Sequence, residues 1–79
     1  KGLELFPAQP ISYLYKAKDL NYQKSHKDAL SILETGLDFV IDNNELFHQF
    51  YKEIANTYKA MGNNQKYREF MNKIKVVEK

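Results

Sequence analysis

Residues 43–62 read NNELFHQFYKEIANTYKAMG, and their periodicity decides the fold. From Leu46 the apolar side chains continue at Phe47, Phe50, Tyr51, Ile54, Ala55, Tyr58 and Met61, in steps of three and four. A helix of 3.6 residues per turn gathers such a set into one broad stripe that must be buried against something else. The ends of the helix are marked as well. Asn43 and Asn44 offer an N-cap, Glu45 places negative charge at the exposed amides of the first turn, and Gly62 supplies the left-handed residue at which helices stop.

Downstream, a second helix opens within Asn63-Asn64 and carries Tyr67, Phe70, Met71, Ile74 and Val77 on one face. So short a link predicts an antiparallel hairpin. Upstream the same unit recurs. Pro10 suits the first turn of a helix bearing Tyr13, Leu14, Ala17 and Leu20, and a polar turn follows at Gln23-Lys24-Ser25, with Ser25 placed to cap the next helix. That next helix carries Ala29, Leu30, Leu33, Leu37, Val40 and Ile41. The opening segment Lys1–Phe6 reads as the last turns of an earlier helix, broken by Pro7. Because it starts at Lys1 without Met, directly on the apolar Leu3 and Leu5, the chain is expected to be part of a longer one.

Repetition ties these units together. Lys1-Gly2-Leu3-Glu4-Leu5-Phe6 matches Thr35-Gly36-Leu37-Asp38-Phe39-Val40 in character, with Gly2 and Gly36 at a spacing of 34. Ala17-x-x-Leu20 recurs as Ala55-x-x-Tyr58 at a spacing of 38, so four residues have been added between Gly36 and Ala55. Four residues are close to one helical turn, which lengthens a helix or its junction while roughly preserving the buried face.

Composition agrees with an all-α reading. The 79 residues are 43% hydrophobic and 14% aromatic, too apolar for a disordered segment, and three Gly and two Pro leave few helix breakers. A core of this size buries only about 60% of the surface that the unfolded chain exposes, so low stability or self-association is expected. The net charge of +2 comes from 12 basic and 10 acidic residues interspersed along the chain, which describes a solvated surface and not a nucleic-acid footprint. Lys66, Arg68, Lys73, Lys75 and Lys79 form the one basic concentration, diluted by Glu69 and Glu78. With no cysteine, disulfides, thiol catalysis and thiolate metal sites are excluded. No apolar run approaches the ~20 residues of a membrane span.

The second unit resembles the tetratricopeptide repeat (TPR) family, with Tyr51 at the large aromatic of its motif, Ile54-Ala55 at the Leu-Gly-like pair, Tyr58 at the following aromatic and Gly62 closing the helix. In the first unit Tyr13, Ala17, Ala29 and Leu33 fit, and Pro7 follows Gly2-Leu3-x-Leu5 as the end of a preceding repeat. Lys16, Leu20, Ile41 and Tyr67 depart from the motif, where Leu, an aromatic, Pro and a small Ala are expected. The loss at Ile41 agrees with a helix prolonged by the added turn. The run from Leu3 through Pro10, with the later Gly-Leu-Asp-Phe-Val, is also similar to repeats in large bacterial, Bacteroidetes-type TPR proteins.

The resemblance implies an α-solenoid of antiparallel hairpins in one domain over 1–79: the end of a preceding repeat at 1–7, a first repeat at 10–43 and a second at 44–79. It implies a concave groove lined by the first helix of each hairpin, at Ile11, Leu14, Tyr15, Lys18, Asn21 and Tyr22 and at Gln49, Lys52, Glu53, Asn56, Lys59 and Ala60. Such a groove binds a peptide or helix of a partner protein, with aromatic anchors and with Asn or Lys fixing polar groups. Lys52-x-x-x-Asn56 resembles the opening pair of the family's carboxylate clamp, although two solvated residues on one helix face account for it more simply. The competing expectation is a structural spacer, or a homo-oligomer formed through exposed solenoid ends.

Catalytic readings find little support. His26 and His48 each stand alone near a helix start, without a second ligand at metal spacing. Ser12, Ser25 and Ser31 lack a nucleophile-elbow context, and Asp38 and Asp42 with nearby Glu45 read as an exposed acidic face. A non-catalytic scaffold without cofactor, metal or nucleic-acid partner is the expectation.

Overall fold

Two three-residue turns organise the chain, and both are built by the same hydrogen bonds. The structure, a computed structural model, describes residues 10–77, with side chains through Lys75. The expectations placed on Lys1–Pro7 and on the side chain of Val77 lie outside the described residues. Four helices are present among them: α1 (Pro10–Tyr22), α2 (His26–Leu37), α3 (Asn44–Ala60) and α4 (Asn64–Val77).

At the end of α1, Ser25 N donates to Leu20 O at 2.8 Å and Lys24 N to Asn21 O at 2.9 Å, around a left-handed Lys24 (φ 66°). At the end of α3, Asn63 N donates to Tyr58 O at 2.9 Å and Gly62 N to Lys59 O at 3.0 Å, around Gly62 (φ 84°). This pair of bonds, one reaching five places back and one reaching three, satisfies the last carbonyls of a helix and reverses the chain. Each hairpin therefore closes in the same way.

The caps differ. Asn63 Oδ1 accepts from Lys66 N at 3.1 Å and Asn43 Oδ1 accepts from Leu46 N at 3.0 Å, as expected of Asn at these places. Ser25, expected to cap α2, makes no side-chain cap. Its hydroxyl sits one bond nearer the backbone than an Asn carboxamide oxygen, and at φ −90° and ψ 64° it does not reach forward.

The added turn lies in α3, which has 17 residues where α1 has 13. The starts of the two helices, Pro10 and Asn44, keep the shorter spacing seen between the glycines, and their ends, Tyr22 and Ala60, the longer one seen between the alanines. α2 is not prolonged toward Ile41, contrary to the sequence expectation. It ends at Leu37, and the amides of Asp38, Phe39 and Val40 donate three places back, to Thr35, Gly36 and Leu37 at 3.2, 2.9 and 3.1 Å. Val40-Ile41 is β-branched and Asp42-Asn43-Asn44 favours turns and caps, so the chain leaves the helix here, with Asp42 at φ 50°. Val40 still reaches the core from this linker, Phe39 stacks on Tyr13 at 5.6 Å, and Ile41 stands 76% exposed.

The core consists of Tyr13, Leu14 and Ala17 of α1, Ala29 and Leu33 of α2, Val40 of the linker, and Phe50 and Ile54 of α3. Ala17, Ala29 and Ala55 have no exposed surface, as small residues at close helix contacts do. Gly36 marks the tightest approach. A Cβ there would lie 2.6 Å from Tyr13 Cβ and 2.8 Å from the Phe50 ring, so only glycine lets α2 pass between them.

Packing follows chain order. α1 pairs with α2 and α3 with α4, while α3 also packs on α2 and runs beside α1; among the described residues α4 meets only α3. The helices thus do not close around a common centre, and they form a slab of 35 × 30 × 14 Å. This is an all-α fold of two hairpins packed in sequence, the architecture of a small helical repeat.

Candidate functional site

The seam where α3 runs beside α1 is polar, and its geometry starts from one amide. Asn21 lies in the last turn of α1, half-buried, and its Nδ2 donates to Glu53 Oε2 at 2.9 Å and to Thr57 Oγ1 at 2.7 Å. The Thr57 hydroxyl passes its own proton to Glu53 O at 2.7 Å, which satisfies a side chain only 1% exposed. With both amide hydrogens spent on α3, Asn21 Oδ1 accepts from His26 Nδ1 at 2.9 Å, so that ring nitrogen carries the proton. Lys18 Nζ completes the network at 3.2 Å from Glu53 Oε1.

One amide therefore links three helices. The exchange stabilises modestly, because neutral hydrogen bonds contribute about 1 kcal/mol each and a half-exposed ion pair under about 1 kcal/mol. Its effect is on geometry: it sets how α1 lies against α3 and so the surface the two present. No buried side-chain polar atom lacks a partner among the described residues.

The residues expected to line a groove fall into four groups. Leu14 is fully buried, so it belongs to the core and offers nothing to a partner. Packing explains the difference, since α3 covers the stripe of α1 on which Leu14 lies. Ile11 is half-buried against that core. Lys18, Asn21 and Glu53 are engaged with one another in the seam. Tyr15 and Tyr22 stand 62% and 87% exposed, and Gln49, Lys52, Asn56, Lys59 and Ala60 of α3 are exposed. Lys59 leans towards α4, its Nζ 5.2 Å from the centre of the Tyr67 ring.

Thr57 and His26 are the participants that sequence reasoning missed. A Thr on the edge of an otherwise apolar stripe was the available signal for Thr57. Its partner lies 36 residues away, which no local pattern reveals. His26 hydrogen-bonds the Asn21 amide, and no group of three His, Cys, Asp or Glu residues suited to a metal ion occurs among the described residues. His48 is half-buried near the start of α3.

Between α3 and α4 the contacts are aromatic, and a neighbouring pair within α3 extends them into a ladder. Phe47 meets Tyr51 at 5.9 Å, and Phe70 of α4 lies 5.9 Å from Tyr51 and 5.8 Å from Tyr58. Such offset pairs add about 0.5–1.5 kcal/mol each beyond area burial. No described helix is long and apolar enough to cross a membrane.

No protein-family model matches the chain, and comparison with curated proteins and with solved structures gives no significant match.

Proposed function

We propose that this chain is a TPR-like, non-catalytic interaction module that holds a peptide or helix of a partner protein along the surface formed by α1 and α3. The observation that carries this reading is the pair Tyr15 and Tyr22, large side chains left in solvent on a fold that buries its other α1 aromatic, Tyr13. Two helical turns apart, they share one stripe of α1 and stand about 10 Å from each other along it. Tyrosine gives large contact area with little rotamer entropy to lose, which suits an anchor.

Glu53 lies beside this stripe but is occupied by Lys18 and Asn21, so it imposes no free negative charge on an incoming segment. Gln49 and Asn56 on the neighbouring helix are exposed amides able to hydrogen-bond a peptide backbone. Two hairpins of near-constant stride, closed by matching turns, support the repeat reading. In this reading the scaffold positions helices and binding side chains and carries no chemistry of its own.

The test is selection of peptides from a displayed library against the chain, repeated with a Tyr15→Ser/Tyr22→Ser variant. Loss of at least about tenfold in affinity with unchanged helicity is expected. Peptides that bind both proteins equally well would remove the groove from consideration.

A further inference from the structure

The stride that carries Ala17 to Ala55 lets each face of one hairpin be compared with its counterpart on the other. In the first hairpin, Leu14 and Asn21 of α1 and Leu30 and Leu37 of α2 are all covered. Leu14 has no exposed surface, Asn21 is bonded to α3, and Leu30 and Leu37 are half-buried against the core. One stride further along the chain, those four places are held by Lys52, Lys59, Arg68 and Lys75, every one of them exposed. Leu33, fully buried between them, becomes the half-buried Met71.

The face of the second hairpin turned away from the first is therefore an apolar centre ringed by four cations. Among the described residues, Glu53 belongs to the seam with α1, Glu69, counterpart of the exposed Ser31, pairs with Lys66 at 3.4 Å, and Glu45 lies on the Lys52 stripe two turns before it, in the first turn of α3. A face meant only for solvent carries both signs interspersed, whereas a single sign raises a local field that attracts its opposite. Arg68 and Lys75, diluted by acids in the linear sequence, are joined here by Lys52 and Lys59 of α3.

We propose that this forward face docks an acidic amphipathic helix of a partner protein. The first hairpin shows what shape its counterpart seat accepts, because there the seat is filled by α3, a helix whose Phe50 and Ile54 enter the core while the adjacent Glu53 meets Lys18. A partner helix with apolar residues at that spacing and carboxylates along both edges would meet Met71 and the four cations in the same manner. A second copy of this chain does not fit. Its stripe equivalent to Phe50, Ile54 and Thr57 is Ser12, Lys16 and Asp19, which presents no apolar residue and places a lysine where Ile54 stands. This face shares Lys52 and Lys59 with the α3 edge of the groove, whereas Arg68, Met71 and Lys75 lie on α4 outside it, so the α4 residues and the tyrosines of α1 report the two proposals separately.

The experiment titrates the isotope-labelled chain with a synthetic amphipathic helix of about 18 residues, leucines on one stripe and glutamates on both edges. Controls are the same peptide with lysine for glutamate, a scrambled peptide of equal charge, a single-stranded DNA oligomer and phosphatidylserine vesicles. Expected is saturable binding of the first peptide alone, amide shifts clustered at Lys52, Lys59, Arg68, Met71 and Lys75, and weakening of about tenfold in a Lys52→Glu/Lys75→Glu variant of unchanged helicity. Equal binding of the scrambled peptide, tighter binding of DNA or vesicles, shifts centred on Tyr15 and Tyr22, or a wild-type chain that sediments as a dimer would each overturn it.

Discussion

The two hairpins share a backbone plan and differ in what surrounds them. Their turns share the same pair of reversing bonds, yet one uses Lys24 and the other Gly62 at the left-handed position, and one is capped by Asn63 where the other has an uncapped Ser25. The difference teaches that hydrogen-bond geometry defines the repeat, while side chains at equivalent places report whether a neighbour covers them. Leu14 is buried because α3 lies on it; Lys52, its counterpart, is exposed.

Substituting equivalent positions in pairs puts that comparison at risk. Phe50→Ala removes the largest fully buried side chain and is expected to cost about 3–5 kcal/mol, enough to unfold a domain of this size, whereas Ser12→Ala stays within about 0.5 kcal/mol. Urea denaturation followed by circular dichroism measures both, and equal effects would dissolve the claimed asymmetry. Gly36→Ala drives a methyl group into Tyr13 and Phe50, so despite the better helix propensity of Ala the stability should fall, by about 1–3 kcal/mol. An unchanged midpoint would mean that α2 can shift freely between its neighbours.

The seam yields a smaller effect. Asn21→Leu leaves the buried Thr57 and part of Glu53 without a donor and should cost about 1–2 kcal/mol, while the counterpart Lys59→Leu should be nearly neutral. Smallest are the turns. Lys24→Gly relieves a left-handed lysine and should stabilise by up to about 1 kcal/mol, and Gly62→Ala, with open space around its Cβ but φ 84°, should destabilise by about as much. Parallel shifts in thermal midpoint for these two variants would contradict the shared turn geometry.

The helices themselves were legible because a period of 3.6 is written in the apolar residues, and α3 with its Asn43 cap and Gly62 stop follows the reading closely. The end of α2 was harder. Val40 and Ile41 keep the helical spacing, but the spacing does not distinguish a residue that reaches the core on a helix from one that reaches it on the linker after Leu37. Leu14 was misplaced for a related reason: whether a stripe faces a groove or a neighbouring helix depends on where the next hairpin lands. The link from Asn21 to α3 was invisible because Glu53 and Thr57 lie 32 and 36 residues away on another element. Likewise the cationic ring appears only when α3 and α4 are brought side by side.

Since α4 rests on α3 alone among the described elements, its tether to the rest of the slab is a row of rings, Tyr51 and Tyr58 against Phe70, with the buried Ile74 one turn further on. Load applied to that end has one route inward, so the last helix can peel away while the first hairpin and α3 keep their contacts. Amide exchange would then rise stepwise towards the C-terminal end, giving a module whose outermost helix is its most yielding part and a partner gripping that helix the means to stiffen it.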